Sequence, residues 1–317
     1  MILDTLAAAA KARVAKLEKQ KSLVTVRAEA EQVYHWETYY YKYTASADSG
    51  ADRNRMEMDA GTAPDGTDPV KDAVCAGQTS AKLTKRFQEN LQRPGLNFIC
   101  ECKKASPSKG LISPEFPYLE IAKSYERGGA AAISVLTEPE YFLGSDVYLR
   151  EIAAQVSLPV LRKDFTVSPY QIYEAKVLGA DAVLLICAIL SASQLEEYRL
   201  TAESVGLDAL VETHDGWEIE TALKSGAKII GINNRNLKDF TVDIGACLQL
   251  RKEIPEDRVC IAESGIQGAN DIRALKERNF NGVLIGETLM RSGNPETMLR
   301  MLKEARLSRL HADRFFL

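Results

Sequence analysis

Histidine is scarce in this chain: His35, His214 and His311 are the only three among 317 residues. They lie far apart, and none has a serine or cysteine nucleophile patterned beside it. Triad chemistry and zinc hydrolysis are therefore not expected. The six cysteines (75, 100, 102, 187, 247 and 260) lack metal-ligand spacing. Cys100-x-Cys102 is too close for the usual zinc pair. Cys100, Cys102, Cys187 and Cys260 sit in apolar, strand-like runs and read as buried, reduced thiols. Positive charge is not in excess either: a formal net charge of −4 argues against a nucleic-acid or anionic-membrane surface. No apolar run approaches the roughly 20 residues of a membrane span. Ala7 to Ala10 is too short for a signal sequence, with Lys11 and Arg13 close behind. What these absences leave is a cytoplasmic protein expected to use no metal, no nucleic acid and no membrane.

Hydrophobic residues make up 45% of the chain, ordinary for a globular protein, and 317 residues allow one large α/β barrel or two smaller domains. Residues 1–33 read as an N-terminal helix, because Leu3, Leu6, Ala10, Val14 and Leu17 recur at three- and four-residue steps. Residues 34–83 read as an insertion, loop-like or partly disordered. It opens on an aromatic run at 34–43, then turns rich in Ala, Gly, Ser, Thr and acidic residues, with the turn pair Asp65-Gly66. From 84 to 317 a single domain is expected. Within it short apolar runs alternate strictly with amphipathic helical stretches. The apolar runs are 97–102, 131–136, 159–163, 182–186, 208–212, 229–233, 259–263 and 282–285. Strict alternation implies a parallel sheet, and eight such units match the (β/α)8 TIM barrel. The runner-up is a doubly wound sheet. It would usually carry a glycine-rich dinucleotide turn after the first strand, where this chain has Lys103-Lys104-Ala105-Ser106.

Polar residues fall at the ends of these runs. Glu101 and Lys103 end the first, Lys163 the third, Glu212 the fifth, Asn233 the sixth and Glu263 the seventh. In a barrel all C-terminal strand ends meet at one rim, where active sites sit. Six polar side chains scattered over the sequence would thus converge. Ser264-Gly265-Ile266 and Gly286-Glu287-Thr288 follow the last two strands, and such turns offer backbone amides to a phosphate. Acid–base work would fall to Lys and Glu, whose pKa values shift readily in a partly buried charged cluster.

Several segments resemble indole-3-glycerol-phosphate synthase of tryptophan biosynthesis. They are 101–110 (Glu-Cys-Lys-Lys-Ala-Ser-Pro-Ser-Lys-Gly), 134–137 (Ser-Val-Leu-Thr), Tyr141-Phe142-x-Gly144-Ser145, Lys163-Asp164-Phe165, 231–237 and 262–266. The likeness spans 1–33 and about 84–306. Residues 34–83 depart from it, since the family joins its N-terminal helix to the barrel more directly. The resemblance implies a carbon–carbon lyase that closes the indole ring. Its substrate, 1-(2-carboxyphenylamino)-1-deoxyribulose 5-phosphate, loses CO2 and water. It further implies Lys163 as general acid, Glu212 as partner acid/base, and Lys103 as a second lysine acid held by Glu101. Asn233 and Glu263 would orient the ribulose hydroxyls and the lysines. Ser106 and Arg235 would meet the carboxylate side, with Ser264 beside the substrate. Gly265, Gly286 and the Glu287 backbone would hold phosphate. Phe142, Phe165, Leu184 and Leu237 would wall the aromatic ring. No cofactor is implied. A monomer is the expected state, with other tryptophan-pathway enzymes as candidate weak partners. Without the resemblance, a phosphosugar isomerase, a Schiff-base aldolase or a non-catalytic barrel subunit stays open.

Overall fold

The computed structural model describes residues 2–47, 87–236 and 240–305, with the backbone alone for 40–47. Most of the expected insertion, together with Cys75, Leu237 and His311, lies outside the described residues. Eight parallel strands close into a barrel: β1 (Asn97–Cys102), β2 (Ala132–Leu136), β3 (Val160–Lys163), β4 (Ala182–Ile186), β5 (Asp208–Thr213), β6 (Ile229–Asn233), β7 (Val259–Glu263) and β8 (Gly282–Ile285). Each strand pairs with its sequence neighbours, and β1 pairs with β8 to close the ring. The expected TIM barrel is thus the observed one, and the doubly wound sheet is excluded.

The strands build the site through their alternation. Side chains two apart on a strand share a face. Ile99 on β1, Leu161 on β3, Leu210 on β5 and Ile261 on β7 fill the barrel interior, all fully buried. Two residues further along the same strands stand Glu101, Lys163, Glu212 and Glu263. Barrel interiors stack in layers of four side chains from alternate strands. Here the odd-strand layer switches from aliphatic to charged in a single step. Intervening residues point outward. Cys100, Cys102, Val135, Val211 and Cys260 belong to the shell between strands and helices, as expected for packing thiols.

Eight helices follow the strands in turn: α4 (Tyr118–Arg127), α5 (Asp146–Gln155), α6 (Pro169–Val177), α7 (Ala192–Ser204), α8 (Gly216–Lys224), α9 (Ile244–Leu250), α10 (Ala269–Glu277) and α12 (Pro295–Lys303). A short α11 (Glu287–Met290) precedes the last. Local chemistry fixes where several begin. Ser145, Ser168, Asp215, Asp243 and Asn294 each accept a backbone N–H of the first turn. Ser191 and Gln194 form a reciprocal capping box. At the opposite end, α3 (Phe87–Leu91) plugs the barrel bottom with Phe87 and Leu91.

The N-terminal segment departs from the expected single helix over 1–33. It forms two helices, α1 (Ile2–Gln20) and α2 (Leu23–Ala47). Ser22 breaks them, its hydroxyl accepting the Thr25 N–H at 3.2 Å as a new cap. α2 then runs on through the aromatic stretch that the sequence assigns to the insertion. Tertiary contacts supply the reason. Glu37 pairs with the buried Lys176 of α6 at 2.5 Å, and the Tyr34 ring lies 5.6 Å from the same ammonium. α1 is clamped differently. Arg13 grips both oxygens of the buried Asp164 at 2.6 and 2.7 Å, one residue beyond the end of β3. Replacing Arg13 with Ala should lower stability by about 2 kcal/mol, since Asp164 keeps its Thr137 partner. Thermal unfolding checks this; an unchanged midpoint would mean that α1 is held by Leu6, Ala10 and Val14 alone.

Candidate active site

A cavity of about 590 Å³ opens at the C-terminal rim of the barrel. Its walls include Glu101, Lys103, Lys163, Glu212, Asn233 and Glu263, so the six strand-end residues do meet in one place. Ser106, Phe142, Phe165, Leu184, Arg235, Ser264, Gly265, Gly286 and Glu287 line it as well. Of the residues expected at the site, Leu237 alone lies outside the described set.

At the centre is the Lys163 ammonium, 3.2 Å from Glu212 Oε2 and 3.6 Å from Glu263 Oε2. Burial works against its charge, but Glu212, Glu263 and Glu101 outweigh that and raise its pKa. Lys163 is therefore a cation throughout the neutral range. The two carboxylates differ. Burial disfavours the Glu212 anion, yet Lys163, His214 and a hydrogen bond from Asn233 more than compensate, and its pKa falls below the usual value. Glu263 feels the same burial with weaker compensation and the repulsion of Glu212 and Glu101; its pKa rises well above the carboxylate range. One acid stays ionised while its neighbour keeps a proton, the division of labour that acid–base sites use. Beside them Lys103 bonds Glu101 at 2.5 Å, as the two-residue spacing predicts.

Two glycines make room for the carboxylates. A Cβ on Gly231 would lie 2.0 Å from Glu263 Oε1, and one on Gly286 would lie 2.6 Å from Glu101 Oε1. Neither could bear a side chain without moving a carboxyl group. The rim loops are tied to one another. A short hairpin, Ala105–Ser106 against Gly110–Leu111, orders the segment after β1. Arg235 reaches Ser108 Oγ at 3.3 Å, and Lys109 reaches Glu287 at 3.4 Å. Glu287 also meets Arg291 at 3.2 Å, so its side chain is engaged although only its backbone was expected to serve. On the apolar side the Phe142 and Phe165 rings stand 6.1 Å apart.

Some neighbours escape sequence reasoning. Ile2, Leu3 and Leu6 of α1 line the cavity from above. Their helical spacing signals a buried face without saying what it covers. Asp164 follows Lys163 and is held by Arg13, Thr137 and its own Phe165 N–H. His214 contacts Glu212 and Glu218. Its place two residues after a strand-end acid, where alternation keeps it on the same face, is the signal that could have found it.

Solved structures of similar fold include a 3-hexulose-6-phosphate synthase, at TM-score 0.54 and 14% identity, covering 67% of this chain and all of that one. A thiamine phosphate pyrophosphorylase from Pyrococcus furiosus has TM-score 0.51 and 15% identity, covering 69% and 97%. At such identities they speak for the barrel alone. Sequence comparison is more specific. The profile described as indole-3-glycerol phosphate synthase matches residues 49–302. The protein of that name from Ruminiclostridium cellulolyticum is 46% identical over 303 residues, covering 96% of this chain and 99% of its own length. Its namesake from Endomicrobium trichonymphae is 58% identical over 218 residues, covering 69% and 84%. With a rim of the composition described above and these relatives across most of its length, the chain belongs to the indole-3-glycerol phosphate synthase family.

Proposed function

We propose that the rim cavity closes the indole ring of 1-(2-carboxyphenylamino)-1-deoxyribulose 5-phosphate, releasing CO2 and water, as a decarboxylating lyase of tryptophan biosynthesis. The observation that carries the residue assignment is the pairing of a buried lysine with two carboxylates of opposed acidity. Ring closure needs a proton for the ketone oxygen as the aromatic carbon attacks the ketone carbon. Lys163, held cationic, is the donor of choice. Loss of CO2 returns the electron pair to the ring. Expulsion of hydroxide then needs a second acid, and removal of the last proton a base. Lys103 and Glu212 fill these roles. Glu263, with Asn233, orients the ribulose hydroxyls and keeps the lysines in place.

The ends of the cavity divide by chemistry. Phe142, Phe165 and Leu184 suit the aromatic ring. Gly265, Gly286 and the Glu287 backbone suit the phosphate, with Ser264 adjacent. Ser106 and Arg235 face the substrate carboxylate. The free site is close to charge-balanced, so an anionic substrate adds negative charge beside two lysines, which favours their protonated forms. No helix among the described residues is long and apolar enough to cross a membrane; we place the enzyme in the cytoplasm, acting as a monomer. A Schiff-base aldolase on this barrel would need an uncharged lysine nucleophile, and the two carboxylates work against that state of Lys163.

Lys163→Ala should cut turnover by about 10²- to 10⁴-fold while far-UV circular dichroism stays unchanged. Indole fluorescence measures the product, and near-normal turnover would refute the assignment. A covalent adduct on Lys163 after borohydride treatment with substrate would favour the aldolase instead. For Glu263 the folded pKa lies above the unfolded one, so the native state binds the extra proton and stability falls as pH rises between the two values. Glu263→Gln removes that slope. Its thermal midpoint at pH 8 should match or exceed the parent's, while turnover drops roughly tenfold or more. A midpoint well below the parent's at pH 8 would show that the ionised carboxylate supports the fold.

A further inference from the structure

We propose that His214 is a positioning residue for Glu212: anchored on α8 through one ring nitrogen, it turns the other to the Glu212 oxygen that Lys163 leaves free. The inference rests on the reading of Glu212 as the acid–base carboxylate. His214 does not line the cavity, so it acts through Glu212 and not on substrate. Its Nδ1 lies 3.0 Å from Glu218 Oε2, and the same oxygen accepts the His214 backbone N–H at 2.8 Å. Glu218 is itself fixed, since its N–H donates to Asp215 Oδ1 at 2.8 Å in the cap of α8. A carboxylate can only accept, so Nδ1 carries a proton.

The far nitrogen decides the matter. Nε2 is buried and has no hydrogen-bond partner among the described residues, yet it faces Glu212 Oε1 at 3.5 Å. A bare Nε2 there would set a lone pair against a carboxylate oxygen. A protonated ring instead gives each nitrogen a carboxylate to face. The surroundings agree. Glu212 and Glu263 approach from strand ends and Glu218 from the start of α8; Asp215 follows in the chain, and Lys163 stands beyond Glu212. Cys187, from the turn after β4, remains a neutral thiol with its pKa pushed up to about 12 by burial. Burial lowers the imidazole pKa, but the Glu218 hydrogen bond and the charges of Glu212, Glu218 and Glu263 outweigh it and raise the net value. The imidazolium thus shares Glu212 with Lys163, one cation per oxygen. It holds the carboxylate ionised and in one orientation.

The test compares His214→Gln, Glu212→Gln and the parent by turnover against pH. His214→Gln keeps the reach of the side chain and loses the charge. Glu212 then loses a cation and its pKa rises, so the acid limb of kcat should move up by about one pH unit. At the foot of that limb kcat falls about tenfold, with KM within about twofold because substrate contacts are untouched. A parental profile, or a uniform loss with the limb unmoved, would overturn the proposal and leave His214 as a brace for α8. If Glu212→Gln retains parental turnover, it is the reading of Glu212 that fails. Should His214→Gln not fold, nitrogen-15 imidazole spectra of the intact enzyme decide, since the chain has only three histidines. One ring should titrate above the ordinary histidine pKa and drop in Glu212→Gln. A His214 ring titrating at or below the ordinary value would also overturn the proposal.

Discussion

The Lys163 ammonium, held between Glu212 and Glu263, is the interaction on which the rest of the site depends. A buried charge is costly unless neighbours of opposite sign and good geometry offset the loss of water. Here the offset comes from across the barrel mouth, from strands that lie far apart in sequence. The same contact divides the two acids. Lys163 is close enough to Glu212, with His214 and Asn233, to hold it ionised. Glu263 is left with more burial than compensation. An aliphatic layer would fill the volume at less cost, so a charged layer capping an aliphatic one is better explained by chemistry than by stability.

The surrounding structure keeps that layer in place. β3 carries Lys163 inward, while Arg162, beside it and facing outward, is buried against Asp146 and Glu174 at 2.9 and 2.8 Å. Asp164 ties the strand end to α1 through Arg13. The helix that roofs the cavity with Ile2, Leu3 and Leu6 is thus clamped one residue from the central lysine. Backbone without side chains at Gly231 and Gly286 lets Glu263 and Glu101 pack against neighbouring strands. The roof and the central lysine are therefore anchored at the same strand end.

Much of the barrel was legible because its signals are local. Strand and helix order follow from apolar runs alternating with amphipathic ones, and serine, aspartate and asparagine caps mark several helix starts. Period two sets Glu101 with Lys103, and the common rim of a barrel gathers Lys163, Glu212, Asn233 and Glu263 from the strand ends. The N-terminal region is less legible. Its aromatic stretch looks like the start of an insertion, but α2 continues through it because Lys176 of α6, far away in sequence, supplies a partner for Glu37. The spacing of His214 from Glu212 is legible too, but only closure of the fold shows which carboxylates flank its ring.

By itself the sequence determined the eightfold alternation, the inward direction of the strand-end charges and the family resemblance, since each is written in residue type and short-range spacing. The tertiary structure decided which carboxyl group keeps a proton and which is held ionised, what roofs the cavity, and that an imidazole backs Glu212. Those depend on distances of about 3 to 4 Å between residues brought together by ring closure, and on burial that raises or lowers each pKa in proportion to its neighbours. Neither quantity has a signature along the chain.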